Sequence, residues 1–331
     1  MPFSWITTEK PALVLAPMEG VTDAPMRAML TERGGFSFCV SEFLRISQEV
    51  PPAHTFLDYI PELGENCVTP TGTPIQVQLL GGDPEKLALS ALRACELGAK
   101  AIDLNFGCPA PTVNRHDGGA SLLRYPHRIK NIVAAVRGAV PREFPVSAKL
   151  RLGWESMDDI FLNAEQAILG GAAWLTIHAR TKMQGYVPPA HWKYIGEVRR
   201  WSSVPIVANG EIWTLEDFLR CQEETGCKHF MIGRGALGDP ALPHEIARQL
   251  GIMTPGVSES YPFGRSSKAW EPILSRFSEI TEPVAHGNHY TARRIKQWLK
   301  FACMKEPLPW FEELKRGQNL EEVLSILRRD I

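Results

Sequence analysis

The sequence predicts an α/β chain: a (β/α)8 TIM barrel followed by a small all-α helical-bundle domain. Three observations carry that expectation. Eight strand-like apolar runs alternate with helical stretches, the rhythm of a barrel of about 250 residues. Several of the runs are almost continuously apolar, as strands covered on both faces are. No strand-like run follows residue 250, where only helical patterns remain. A doubly wound open sheet is the rival arrangement for the same alternation.

The strand candidates are 12–18 (ALVLAPM), 38–43 (FCVSEF), 74–81 (PIQVQLLG), 101–108 (AIDLNFGC), 145–153 (PVSAKLRLG), 173–180 (AWLTIHAR), 205–212 (PIVANGEI) and 229–235 (HFMIGRG). Helical segments such as 84–98 and 214–226 lie between them, and both stop at a glycine. Thr214, three residues ahead of Asp217, is the expected N-cap of the second. Residues 251–270 are rich in Gly, Pro and Ser without periodicity, so they read as a linker. The expected domains are therefore 1–250, the barrel, and 271–331, the helical domain. The latter holds WEPILSRFSEITEPV, HYTARRIKQWLKFACMKE, PWFEELKRG and NLEEVLSILRRDI, a bundle of about four helices. On its second helix Ile295, Trp298, Leu299 and Ala302 recur at i, i+3, i+4 and i+7, an apolar packing face. Arg293, Lys296 and Lys300 mark a different, basic face.

Composition narrows the function. Hydrophobic residues make up 44% of the 331 and charged residues 22%, a globular balance that excludes disorder throughout. Lys+Arg 36 against Asp+Glu 37 gives a net charge of -1, which argues against a generic polyanion binder. It does not exclude a specific RNA site built from a few placed cations. Seven cysteines without a CxxC pair suit neither a disulfide framework nor zinc. Reduced thiols, a cytoplasmic location and no metal are expected. Glu9 and Lys10 break any N-terminal apolar stretch, and no run approaches the roughly 18 residues of a membrane span.

In a barrel of this kind the site is built at the C-terminal ends of the strands. Those ends carry Pro17 and Met18, Glu42, Gln78, Asn105 and Cys108, Lys149, His178, Asn209-Gly210-Glu211 and Gly233-Arg234. Polar strand ends are ordinary where they meet solvent. That bland reading weakens when Gln78, Lys149 and His178 recur at one level on separate strands. Lys149 is flanked by apolar strand residues, and a buried lysine needs an anionic partner or a displaced pKa. Glycines in NGEI and GRGA let backbone N–H groups approach a ligand, in the loops that usually hold phosphate. Arg234 can add a bidentate contact. Donors around one mouth suit a flat heteroaromatic cofactor, and flavin mononucleotide (FMN) fits better than a sugar phosphate.

Cys108 is followed by Pro109, Pro111 and Gly118-Gly119, which place it on a loop. A thiol of ordinary pKa is mostly protonated at neutral pH and can act as a general acid. A nucleophilic thiolate is the functional rival. His116 and His178 could each serve as its base, but neither spacing identifies a Cys–His pair.

The motifs APMEGVTDAPMR (16–27), VQLLG (77–81), DLNFGCPAPTVN (103–114), KLRLGW (149–154), HARTKMQGY (178–186), VANGEI (207–212) and MIGRGAL (231–237) stand in order at strand ends. Together they make the chain resemble the tRNA-dihydrouridine synthases over essentially its whole length. The Glu of APMEG, RTKMQGY and RRIKQWL look most like the C-type subfamily, which reduces a uridine at about position 16 of the tRNA D-loop. The resemblance implies FMN contacts at Pro17, Met18, Glu19, Gln78, Lys149, His178, Asn209, Gly210, Glu211, Gly233 and Arg234. It implies Cys108 as proton donor to C5 of uracil, with hydride reaching C6 from FMN reduced by NADPH or NADH. The target base must be extruded from the RNA to enter the pocket. The implied tRNA contacts are Arg45, Asn105, Arg151, Tyr186, Arg294, Lys296, Phe301 and Lys315. Pro111 stands where relatives commonly carry a basic residue, so one loop contact to phosphate is in question. A monomer is expected. The alternative is a small-molecule FMN barrel of dihydroorotate or dihydropyrimidine dehydrogenase type, which has no use for a basic terminal helix. A tRNA-binding protein without catalysis is opposed by Lys149, His178 and Cys108.

Overall fold

The computed structural model describes residues 5–252, 264–284 and 288–329. Among them run β1 (Ala12–Leu15), β2 (Phe38–Val40), β3 (Leu44–Arg45), β4 (Ile75–Leu80), β5 (Ile102–Phe106), β6 (Val146–Arg151), β7 (Leu175–His178), β8 (Ile206–Asn209) and β9 (His229–Ile232). All pair in parallel. The ring closes as β1–β2–β4–β5–β6–β7–β8–β9 and back to β1, an eight-stranded barrel that excludes the open sheet. The run expected as a strand at 38–43 ends at Val40, and β3 lies beyond it. The hydroxyl of Ser41 accepts from Gln78 N, and the chain leaves the ring before β3 rejoins β4 through Leu44 and Leu79.

Side chains alternate in and out along each strand. Val77, Leu79, Ile102, Leu104, Ala148 and Leu150 face outward into a core beneath the helices, each almost wholly buried. Val14, Phe38, Val40, Val207 and Met231 cluster with Trp174 in a second apolar group. Polar residues of β4, β5 and β6 occupy the rest of the interior and bond one another there. That is how polar side chains come to project toward the C-terminal mouth.

The helices around the ring are α1 (Ala24–Thr31), α2 (Ala53–Tyr59), α3 (Pro84–Glu96), α4 (Pro111–Asn114), α5 (Pro126–Ala139), α6 (Asp159–Leu169), α7 (Trp192–Trp201), α8 (Leu215–Thr225), α9 (Arg234–Gly238) and α10 (Leu242–Gln249). The expected cap of α8 is present as a reciprocal box. Asp217 N donates to Thr214 Oγ1 at 3.0 Å, and Thr214 N donates to the Asp217 carboxylate at 3.1 Å. The helix stops at Gly226 in the left-handed conformation.

Residues 253–263 of the expected linker lie outside the described residues. Its far boundary moves, because Ser266 caps a helix that already begins at Ser267. The C-terminal region comprises α11 (Ser267–Thr281), α12 (Asn288–Lys305), α13 (Phe311–Leu314) and α14 (Leu320–Leu327). Ile295, Trp298, Leu299 and Ala302 are buried as the helical spacing requires. Trp298 meets Trp270 and Phe277 edge to face, with ring centroids 5.9 and 5.2 Å apart, the favoured geometry for aromatic pairs. The region rests directly on the barrel rim. Trp298 Nε1 donates to Leu237 O at 3.0 Å, and Arg276 pairs with Glu32 at 2.6 Å. No described helix is long and apolar enough to cross a membrane.

Candidate active site

A cleft of about 590 Å³ opens at the C-terminal ends of the strands, within the range typical of small-molecule sites. The turn after β1 brings Pro17 and Met18 to its wall. Met18 N donates to Thr22 Oγ1 at 2.8 Å, and Met18 O receives Val21 N and Thr22 N. Glu19 stands exposed on the rim.

From β6, Lys149 reaches across the barrel and donates to Asn209 Oδ1 at 3.1 Å. Asn209 is held in that orientation because its Nδ2 donates to Met231 O at 2.8 Å. Burial, reinforced by the charge of Arg151, pulls the Lys149 ammonium down to about 8, while Asp103 opposes the shift. His178 ends β7 with Nδ1 buried and without a hydrogen-bond partner among the described residues. Burial first, and then Arg151, Lys149, Arg180 and Arg234, hold its pKa well below the ordinary value, so the ring is neutral at pH 7. Gly210 passes beside this ring in a left-handed conformation, where a Cβ would stand 3.2 Å from His178 Nε2. Only glycine meets both demands without strain.

Glu211 receives Arg180 and, at 3.8 Å, Arg234, and it accepts from Trp213 Nε1 at 3.2 Å. The Arg234 guanidinium lies 4.5 Å from the ring centre of Tyr186 and 5.1 Å from that of Trp213. Gly233 is hemmed in, since a Cβ there would sit 3.1 Å from the sulfur of Met18. The cationic groups Lys149, Arg151 and Arg234 thus face a single cleft, which favours an anionic ligand.

Cys108 lines the same cleft from the loop after β5. Burial raises its pKa, with Glu19 adding to the effect, while the N–H of Ala110 and the charges of Arg151 and Lys149 oppose it. The thiol is therefore protonated at neutral pH. Its backbone is tied down: Cys108 N donates to Asn105 Oδ1 at 2.9 Å, and Cys108 O receives Ala120 N at 3.0 Å.

The remaining expected residues divide. Tyr186, 52% exposed, Arg151, Asn105 and Phe301 line the cleft. Arg151 is also a structural tie, donating to the carbonyls of Gly107, Thr181 and Gly185. Gln78 lies beneath the cleft, bonded to Asp103 and Asn105. Arg45, Lys296 and Lys315 are not part of the cleft wall. Lys296 Nζ donates to Gly317 O, and Lys315 pairs with Glu312. Arg294 has partners that the sequence did not foresee. It is 6% exposed and donates to the carbonyls of Gly20 and Val21 while pairing with Asp23 at 2.9 Å. Its guanidinium thus bridges the seam between α12 and the barrel.

Sequence reasoning missed Trp213, Met304, Arg180 and Asp103. Trp213 and Met304 line the cleft. Arg180 and Asp103 stood inside quoted motifs, and a charged residue within a strand-like run was the signal available. Among the described residues no cluster of three or more His, Cys, Asp or Glu side chains could hold a metal ion.

The dihydrouridine synthase family matches this chain over residues 14–330. The tRNA-dihydrouridine(16) synthase of Pseudomonas syringae pv. tomato is 43% identical over 320 residues, covering 95% of this chain and 98% of the relative. That of Shewanella oneidensis is 41% identical over 321 residues, covering 96% and 97%. Among solved structures, histamine dehydrogenase from Rhizobium sp. 4-9 superposes with a TM-score of 0.54 at 15% identity, covering 81% of this chain and 49% of that one. The old yellow enzyme homologue from Zymomonas mobilis gives 0.51 at 16% identity, covering 72% and 88%. At such identities the two structures speak for the barrel fold alone.

Proposed function

The chain belongs to the dihydrouridine synthase family, and from that premise we propose that its cleft holds FMN and admits one uridine of a tRNA. The reaction is the reduction of that uridine to 5,6-dihydrouridine. Position 16 is the target that the relatives' names give, and we carry it to this chain.

The residues present fit a flavin. The cleft is large enough, its cations complement a phosphate, and the unpartnered Nδ1 of His178 offers a polar contact. Gly210 and Gly233 leave room where a Cβ would crowd His178 or Met18. Pro17, Met18, Lys149, His178, Asn209 and Arg234 would hold the group, with Gln78 supporting from below. When bound and reduced, with NADPH the proposed reductant, the flavin supplies hydride to C6 of uracil. Cys108 holds its proton at Sγ and delivers it to C5, forming the second new C–H bond and leaving a thiolate. Lys149 and Arg151 stabilise that thiolate, because each favours the charged sulfur. Tyr186 at the mouth offers a ring on which an extruded base can stack.

The observation that carries this reading is the placement of a protonated Cys108 in one cleft with Lys149, His178 and Arg234. Purified protein is predicted to show flavin absorbance. With NADPH it is predicted to convert uridine 16 of unmodified tRNA to dihydrouridine, read by mass-spectrometric mapping. A colourless protein that also leaves every tRNA uridine unreduced in the presence of added FMN would sink the proposal.

A further inference from the structure

We infer that Asp103, deep in the barrel, is a positioning residue for Cys108 and acts through two intervening amides, a role that rests on Cys108 as the proton donor. Asp103 is 2% exposed. One of its carboxylate oxygens receives Gln78 Nε2 at 2.7 Å. The other receives Ser147 Oγ at 2.5 Å, and that hydroxyl is in turn the acceptor of Gln76 Nε2 at 2.9 Å. Burial raises the Asp103 pKa, while the hydrogen bonds from Ser147 and Gln78 and the charge of Lys149 oppose the shift.

Both oxygens of the Asp103 carboxyl accept, one from Ser147 and one from Gln78, so Gln78 turns its NH2 toward Asp103 and its carbonyl oxygen away. That oxygen meets Asn105, which must answer with its own NH2, and Asn105 Nδ2 donates to Gln78 Oε1 at 2.8 Å. With its donor committed, Asn105 can present only its oxygen to the loop. There Oδ1 accepts from Gly107 N and Cys108 N, both at 2.9 Å. The polarity set at Asp103 is thus read out at the backbone of Cys108. Flipping either amide alone sets donor against donor or oxygen against oxygen. Flipping both opposes a carbonyl to Asp103 and an NH2 to two backbone N–H groups. Gly119 closes the loop from its other side, since a Cβ there would stand 2.9 Å from Cys108 O.

The test is hydrogen exchange on the full chain, paired with single-turnover uridine reduction. Asp103→Asn lets residue 103 face Gln78 with either an oxygen or an NH2, so the polarity is no longer dictated there. Exchange of the Gly107 and Cys108 amides should rise about tenfold or more, with Leu104 unchanged. Uridine reduction should slow about tenfold while tRNA affinity stays within about twofold. In the double variant Asp103→Asn, Gln78→Glu the carboxylate moves one step along the relay and still accepts from Asn105. Protection of both amides should then return to within about threefold of the parent. Gln78→Met breaks the relay without adding charge and should expose the same two amides if Asp103→Asn does not fold. Parent-like protection in a folded Asp103→Asn or Gln78→Met chain would overturn the relay, as would a double variant whose protection does not return. Cys108→Ala is run alongside. If it reduces uridine like the parent, the proton-donor reading is what falls. If it is inactive while every relay variant keeps its two amides protected, the relay alone falls.

Discussion

Arg294, on α12, donates to the backbone carbonyl of Val21 at 2.7 Å, across the seam between the helical region and the barrel. The same guanidinium holds Gly20 O and Asp23. Arg294→Ala removes the donor to Val21 O and the cation beside Asp23, while Gly20 O keeps Gln297 and Asp23 keeps Met26 N and Tyr290, a cost of about 1–2 kcal/mol. Urea denaturation should show the loss. An unchanged midpoint combined with weaker tRNA binding would return Arg294 to the RNA surface.

Cys108→Ala should keep flavin absorbance and tRNA affinity, because the thiol contributes little to the cleft's charge. Uridine reduction should fall by roughly 10²- to 10³-fold, the usual worth of a positioned acid. Rapid-quench single turnover with pre-reduced enzyme isolates that step. A loss below about threefold would remove the thiol from proton transfer.

Lys149, displaced to about 8, loses its proton as pH rises through that value. Affinity for FMN should therefore weaken above pH 8, and Lys149→Met should flatten the profile. Fluorescence titration across that range reads both. The chain's own stability runs the other way. The unfolded lysine keeps its proton until about 10.4. Between the two values the unfolded state binds more protons, so stability of the flavin-free chain rises with pH.

Three histidines are held neutral by burial: His178 well below its ordinary value, His244 below it, and His229 at about 4. Each binds a proton more readily in the unfolded chain than in the folded one near pH 6.5. Stability should thus fall as pH drops below 6.5, by up to about 1.4 kcal/mol per pH unit for each histidine inside its window. Denaturation midpoints at pH 7 and pH 5 check the sign. Equal midpoints would contradict it.

Lys300 is exposed on α12, and no carboxylate pairs with it among the described residues. Lys300→Ala should lower the salt slope of tRNA binding by about one while FMN reduction by NADPH is untouched. An unchanged slope would exclude that helix face from the RNA contact.

How much of this was legible follows from physical range. Lys149 and His178 announced themselves because a polar side chain in an apolar strand run has few innocent explanations. The eight-strand ring followed from the same alternation. β3 did not, since two residues leave no period to read. The link from Gln78 to Asp103 spans 25 residues and depends on how β4 and β5 register, which local pattern does not encode. The docking contact of Arg294 could have been read. That residue stands four residues before Trp298, on the face already identified as packed. The basic character of Arg293, Lys296 and Lys300 nearby disguised it.

The helix that carries Lys300 is fastened by Trp298 to Leu237 of α9 and by Arg294 to the loop after β1. Arg234 starts α9, and Pro17 and Met18 begin that loop, so its moorings adjoin the cleft itself. A phosphate gripped on the helix and a base inserted in the cleft are then the two jaws of a fixed gauge. An enzyme making both contacts would pick its nucleotide by counting from the gripped backbone. Changing the identity of neighbouring bases should leave the modified position where it is, whereas inserting one nucleotide into the loop should shift it.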